Sequence, residues 1–229
     1  MSHPDQPIRD AATIILLRRS PDGPRVLMGM RGDKAVFMPS KYVFPGGAVD
    51  AGDTAAPLAK GLAEPSFSRL TQEPRAGVPI NVTALAAAAL RELAEETGLL
   101  IGHENGPASD WPGYAETGLC PDASALHYVF RAITPPGRSR RFDARFFLAD
   151  AATLANDPDD FSAACDELSH LHWVPLSEAR ALDLPFITEV VLAEIAELAI
   201  LAGDGPLIAP DTVPFFDNRG PTPRFTQIS

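Results

Sequence analysis

Cysteine is scarce in this chain: Cys120 and Cys165 are the two among 229 residues. They lie far apart, match no zinc-ligand spacing, and read as buried free thiols of a reducing compartment. No stretch approaches the roughly 20 consecutive apolar residues of a membrane span, so no membrane partner is expected. The first residues, MSHPDQPIRD, lack the basic-then-apolar pattern of a secretory signal. The last, FTQIS, do not form the Ser-Lys-Leu address, and the expected location is the cytoplasm. Positive charge is also in short supply, with 19 Lys and Arg against 30 Asp and Glu and a net charge of −11. So acidic a chain is a poor nonspecific binder of nucleic acid, and none is expected as partner. It would also repel a polyanionic ligand unless metal ions and local arginines reverse the field. No internal repeat and no composition break marks a second domain, so residues 1–229 read as one domain. Oligomeric state leaves no trace.

What is present suits a soluble globular fold: 45% hydrophobic, 21% charged and a mean hydropathy near zero. The 23 prolines imply many loops and turns. Apolar runs predict strands at residues 10–19, 25–31, 41–44, 125–133, 141–149 and 167–174, the first two forming a hairpin around SPDGP. A short helix is predicted at 176–182, opened by Ser177. A longer one is predicted at 189–201, capped by Thr188 and stopped by Gly203. Residues 54–83, with four prolines and a short helix around 58–70, read as a lid, a substrate-side wall or inert decoration. The Pro-rich tail 205–229 is weakly patterned.

The most informative stretch is Ala84–Leu100, ALAAAALRELAEETGLL. It is built of strong helix formers and ends at Gly98, a natural stop. Glu92, Glu95 and Glu96 fall on one face of that helix, with Ala86, Leu90, Leu93 and Ala94 opposite. Like charges at these offsets repel, and Arg91 offsets that only in part. Two readings fit: a solvated acidic face, or a site for a hard divalent cation, which takes oxygen ligands and keeps several waters. Upstream lies a Gly-rich turn, Phe44-Pro45-Gly46-Gly47-Ala48-Val49-Asp50-Ala51-Gly52-Asp53. Its glycine pair permits backbone geometry that can turn a carbonyl inward.

Together these two stretches resemble the Nudix box. Gly47, Asp53 and Arg91-Glu92-Leu93-Ala94-Glu95-Glu96-Thr97-Gly98-Leu99 match it position by position. There are two departures. Asp53 stands where the box has Glu, and residues 54–90, 37 in all, replace a gap of seven. A split box of this kind, with the blocks FMPSKYVFPGG and AITPPGRSRRFDARFFLAD, is similar to the peroxisomal coenzyme A diphosphatase branch. That likeness spans roughly residues 10–190.

The resemblance implies an α/β fold, a Nudix-type α/β/α sandwich with a mixed sheet, carrying an insertion between the two halves of the box. It implies hydrolysis of a nucleoside diphosphate linked to another moiety, such as coenzyme A or an acyl derivative. ADP-ribose, another dinucleotide and a non-catalytic nucleotide-binding module are the alternatives. Isoprenoid diphosphate isomerisation would call for a catalytic Cys, and neither Cys120 nor Cys165 has a matching context. The implied cofactor is Mg²⁺, with Mn²⁺ as substitute, held by Glu92, Glu95, Glu96 and the carbonyl of Gly47. The base is a box glutamate or Glu167, which stands shortly before the Trp173 strand. Arg91 is expected to pair with Asp53 or Glu95, with phosphate contact as the alternative. Arg31, Arg141 and Arg145 are the candidate phosphate contacts, since Arg suits bidentate phosphate recognition. Phe142 and Phe146 could stack a base, with core packing as the plainer role. His170 and His172, two His without a third ligand, make a poor zinc site.

Overall fold

Strand β1 (Ile8–Arg18) is apolar on both sides. Ala12, Ile14 and Leu16 enter one buried cluster, while Ile15 and Leu17 enter another. A strand buried on both faces belongs in the middle of a sheet that is covered on both faces. The computed structural model, which describes residues 6–33, 37–220 and 222–229, shows that arrangement.

In chain order the strands and helices are β2 (Arg25–Arg31), β3 (Tyr42–Val43), β4 (Gly46–Ala48), α1 (Ser66–Leu70), α2 (Val82–Thr97), β5 (Gly102–His103), α3 (Tyr114–Thr117), β6 (Cys120–Pro121), β7 (His127–Ile133), β8 (Arg141–Asp150), β9 (Leu168–Pro175), α4 (Leu176–Ala179), α5 (Phe186–Ala202), β10 (Val213–Asp217) and β11 (Arg224–Ile228). Nine strands form one sheet in the order β11-β10-β7-β8-β1-β2-β3, with β4 added to β1 and β9 to β2. The β1/β8 and β10/β7 pairs are parallel and the others antiparallel, so the sheet is mixed. Helix α2 packs with one apolar cluster and α5 with the other, giving the expected α/β/α sandwich. No helix among the described residues is long and apolar enough to cross a membrane.

One detail of the sheet sets up the site. The C-terminal end of β1 pairs with β2, Leu17 opposite Val26. Its N-terminal part pairs instead with β4, Ala12 opposite Gly47. The glycine pair thus sits in the sheet, directly beside α2.

Several local expectations are corrected. The helix expected to begin behind Thr188 opens at Phe186 with Pro185 as its cap, and Thr188 is buried within the first turn. Proline fits there because the first helical N–H groups have no partner to lose. Likewise α4 follows Pro175 and begins at Leu176 ahead of Ser177. The tail is not unpatterned: β10 and β11 complete the sheet and bury Val213, Phe215 and Ile228. These strands are short, and β10 finds its partner β7 across some 80 residues of chain, so local periodicity does not announce them. Cys120 is buried as expected, but Cys165 is exposed.

The segment 54–83, expected as a lid, a substrate-side wall or decoration, is fastened along its length. Ala59 N–H donates to Pro121 and Lys60 accepts from Ala123. Ser66 accepts from the Tyr128 N–H, and Arg69 donates to the carbonyls of Pro210 and Asp211. Arg75 then reaches the sheet, bonding Ile8 O at 2.8 Å, Asp10 at 2.8 Å and Asp143 at 3.0 Å. Asp143 is fully buried and also accepts both arms of Arg131 at 2.9 and 2.8 Å, with Arg145 3.2 Å away. Burial alone would push this carboxyl up. The Arg131 bonds and the fields of Arg145, Arg131 and Arg75 overcome it and hold Asp143 below the usual carboxylate range.

Breaking a buried pair by removing one partner leaves the other charges uncompensated. We therefore expect Asp143→Asn to lower stability by about 3–5 kcal/mol at neutral pH, measured by urea unfolding. A depressed folded value means the stabilisation is complete above the unfolded value of about 3.9. It is lost as pH falls through the folded value. The variant's acid-unfolding limb should therefore be shallower below about pH 4.

Candidate active site

Helix α2 starts where the Asn81 side chain accepts the Ala84 N–H, and ends at Gly98 with φ 75°. Most of its residues are buried, Glu96 among them, and Glu92 and Glu95 are only partly exposed. Arg91 makes this tolerable. Its Nε and Nη2 grip Asp53 at 2.9 and 3.1 Å, Nη1 donates to Glu92 at 2.8 Å and Glu95 at 3.1 Å, and Nη2 also bonds Ala48 O at 3.1 Å. All five N–H groups of the guanidinium are used. Burial opposes the charge, but Asp53 and Glu92 more than restore it. Asp53 is itself buried, in a short 3₁₀ turn over Ala51–Ala55, where it also accepts the Asp50 N–H. The expected Asp53–Arg91 pair thus survives both the shorter acid and the 37 intervening residues.

The carboxylates differ in surroundings. Glu95 is the most open of the three, its side chain 36% exposed. Glu92 is pushed upward by burial, with Arg91 opposing. Its carboxylate lies so close to Gly47 that a Cβ there would sit 2.3 Å from Oε1. Glu96 is 1% exposed. Its Oε2 accepts the Gly46 N–H at 2.7 Å, while Oε1 is buried with no partner. Burial, then the fields of Glu92 and Glu167, push its carboxyl up to about 8, against the Gly46 bond and Arg31.

The sheet brings two further predicted residues here. Arg31 ends β2 opposite Leu168, the first residue of β9. Its Nη2 donates to Glu167 at 2.7 Å. Glu167 acts on both Glu92 and Glu96, so it belongs to the same anionic group. The loop that delivers it is tied to the end of α2. Asn156 accepts from Leu100 N–H and donates to Gly98 O, both at 2.9 Å, and Cys165 N–H bonds Glu95 O at 2.9 Å. The sequence reading missed Gly46 as partner of Glu96 and Asn156 as clamp. The Gly-Gly pair was the available signal for the first, and an isolated Asn in a polar loop gives none for the second.

Two expected phosphate contacts are corrected. Arg145, 1% exposed, is paired with Asp10 and Asp143. Arg141, 7% exposed, donates to the carbonyls of Thr134 and Asn218. Both guanidiniums are engaged in holding strands together. Phe146 is buried against Phe130, and Phe142 meets Phe37 edge-on. His170 and His172 are exposed on β9, with His172 Nδ1 beside His170 O.

The donor set is entirely oxygen, and a buried carboxylate oxygen without a partner suits a hard divalent cation. Among the described residues no three His, Cys, Asp or Glu side chains converge as a finished cage. Arg91 holds Glu92 and Glu95, and Arg31 holds Glu167. A cation that keeps several waters needs few protein oxygens, and Glu96 with Glu92 fits that demand.

No protein-family model matches the chain. It is 29% identical over 237 residues to an acyl-coenzyme A diphosphatase, NUDT19, of Gallus gallus, covering 75% of this chain and 62% of that one. It is 30% identical over 187 residues to a putative nudix hydrolase 7 of Caenorhabditis elegans, covering 74% and 52%. The chain therefore spans about one half to three fifths of the length of these curated relatives. A crystal structure of a Nudix hydrolase from Alicyclobacillus acidocaldarius superposes with a TM-score of 0.60 at 28% identity, over 86% of this chain and 96% of that one.

Gly47 supplies a test of the site. The three atoms nearest an added Cβ all belong to the flexible end of Glu92, so Gly47→Ala should fold, with a melting temperature within a few degrees of the parent. Displacing Glu92 should weaken Mn²⁺ binding, followed by electron paramagnetic resonance, about 10- to 100-fold.

Proposed function

This chain belongs to the Nudix hydrolase family, and on that premise we propose that it is a divalent-metal-dependent pyrophosphohydrolase. Its substrate is a nucleoside diphosphate linked to another moiety, with coenzyme A or an acyl-coenzyme A favoured. The observation that carries the reading is Glu96: a buried carboxylate with one oxygen free, beside Glu92 and Glu167, in a helix face otherwise neutralised by Arg91. So perturbed a carboxyl, next to other carboxylates, marks a functional site more readily than a structural one.

Glu92, Glu95 and Glu96 would hold Mg²⁺, or Mn²⁺ in its place, with the Gly47 carbonyl as a further ligand. When bound, that ion neutralises phosphoryl oxygens and lowers the pKa of a coordinated water. Arg91 fixes the rotamers of Glu92 and Glu95 through its bonds to both. Glu167 takes the proton of the attacking water. Arg31 contacts phosphate and reverses, locally, the repulsion that a net charge of −11 imposes on a polyanion. The coenzyme A preference is supported by the likeness to the Gallus gallus acyl-coenzyme A diphosphatase and by the box interrupted at residues 54–90.

The test is a hydrolysis screen with Mg²⁺ over coenzyme A, acetyl-coenzyme A, ADP-ribose, NADH, diadenosine polyphosphates and nucleoside triphosphates, with products identified by mass. We expect release of a phosphopantetheine product from coenzyme A or its acyl form. Glu96→Gln should lose turnover by orders of magnitude with the fold intact. Cleavage of ADP-ribose or a dinucleotide alone would replace the substrate and keep the chemistry. Near-normal turnover by Glu96→Gln would discard the ligand assignment. Tight nucleotide binding without turnover would favour the non-catalytic module.

A further inference from the structure

The cations of the site are not equivalent. Arg91 is buried and saturated by five bonds. Arg31 is different. Its Nη2 bonds Glu167, whose side chain is 52% exposed, and its Nε is buried without a partner. Its backbone is fixed on both sides, N–H to Lys41 O at 3.0 Å and O to Ser40 N–H at 3.1 Å. Only the side chain is left to exchange partners.

The strand geometry aims the pair. The register of β9 on β2 slips between Met28 and Met30, and His170 takes a left-handed backbone with φ 52° at that bulge. Bulges of this kind redirect the residues beyond them, and the strand beyond this one begins at Leu168 opposite Arg31.

Resting on the reading of a pyrophosphate substrate, we propose that Arg31 is a two-position latch: free, it holds Glu167; occupied by a substrate phosphate, it releases Glu167 to act as base. A phosphate offers the planar fork two oxygens, whereas Glu167 uses only Nη2 in a half-open ion pair. Exposed pairs are weak and readily exchanged. The released carboxylate is left beside Glu92 and Glu96, both of which already feel its field. The base is therefore presented only when a phosphate is in place. Arg31 acts at once as a phosphate contact and as the positioning residue for Glu167.

The latch predicts competition, which a purely structural ion pair would not produce. Binding of inorganic pyrophosphate, with Ca²⁺ replacing Mg²⁺, is measured by calorimetry for the parent, Glu167→Gln, Arg31→Gln and the double variant. Glu167→Gln should bind roughly two- to fivefold tighter, the range of an exposed ion pair. Arg31→Gln should bind about tenfold weaker, and in that background Glu167→Gln should add no tightening. Tightening that persists without Arg31 would reduce Glu167 to a general repulsive field and overturn the latch. Unchanged or weaker binding by Glu167→Gln would overturn it too. Should Arg31→Gln fail to fold, Arg31→Lys keeps the charge, lacks the fork, and should shrink the coupling. Absence of pyrophosphate binding by the parent, with no hydrolysis in the substrate panel, would overturn the proposed function and the latch together. Binding with additive effects overturns the latch alone.

Discussion

The site depends on one guanidinium. Arg91 is buried, and its five N–H groups reach a 3₁₀ turn, a strand carbonyl and two carboxylates of its own helix. Burying a charge is tolerable only when it is paired and fully hydrogen-bonded. Here the partners come from three separate segments, so the requirement that Arg91 be satisfied fixes Asp53, Ala48, Glu92 and Glu95 relative to one another. It also lets an acidic helix face pack inward, where the sequence by itself favours solvent.

Two buried carboxylates show how the fold separates structure from chemistry. Asp143 and Glu96 are equally inaccessible. Three guanidiniums surround Asp143 and hold it ionised, so it serves as a rivet between the inserted segment and the sheet. Glu96 has a backbone N–H, the opposing field of Arg31 and two acids acting against it, and its carboxyl is pushed up to about 8. A group so placed gains most from an added positive charge.

The insertion is compatible with an intact box because chain length between two fixed points is inexpensive. Closure entropy rises only logarithmically with loop length, and this loop is held at both ends, by Asp53 under Arg91 and by Asn81 capping α2. In between, Arg69 binds it to the segment just before β10, and Arg75 to the central strands β1 and β8. The extra residues thereby become part of the fold's periphery and leave the geometry of Gly47 and Glu92 undisturbed.

The sequence determined what short-range physics can encode. Helix α2 was legible from its composition and its Gly98 stop, β1 and β2 from their apolar runs, and the cluster Glu92, Glu95, Glu96 from helical periodicity. The pairing of Arg91 with Asp53 was legible only as an expectation, since 37 residues separate the two. The tertiary structure decided the rest. It turned Arg141 and Arg145, plausible phosphate contacts by residue type, into internal ties, because strand pairing set carbonyls and carboxylates within their reach. It made strands of a tail that showed no period, because β7 offered an open edge. It also placed Arg31 against Glu167, 136 positions apart, through the register of β2 and β9. Propensity and periodicity act over a few residues, whereas partners for buried charges are chosen by the packing of whole strands.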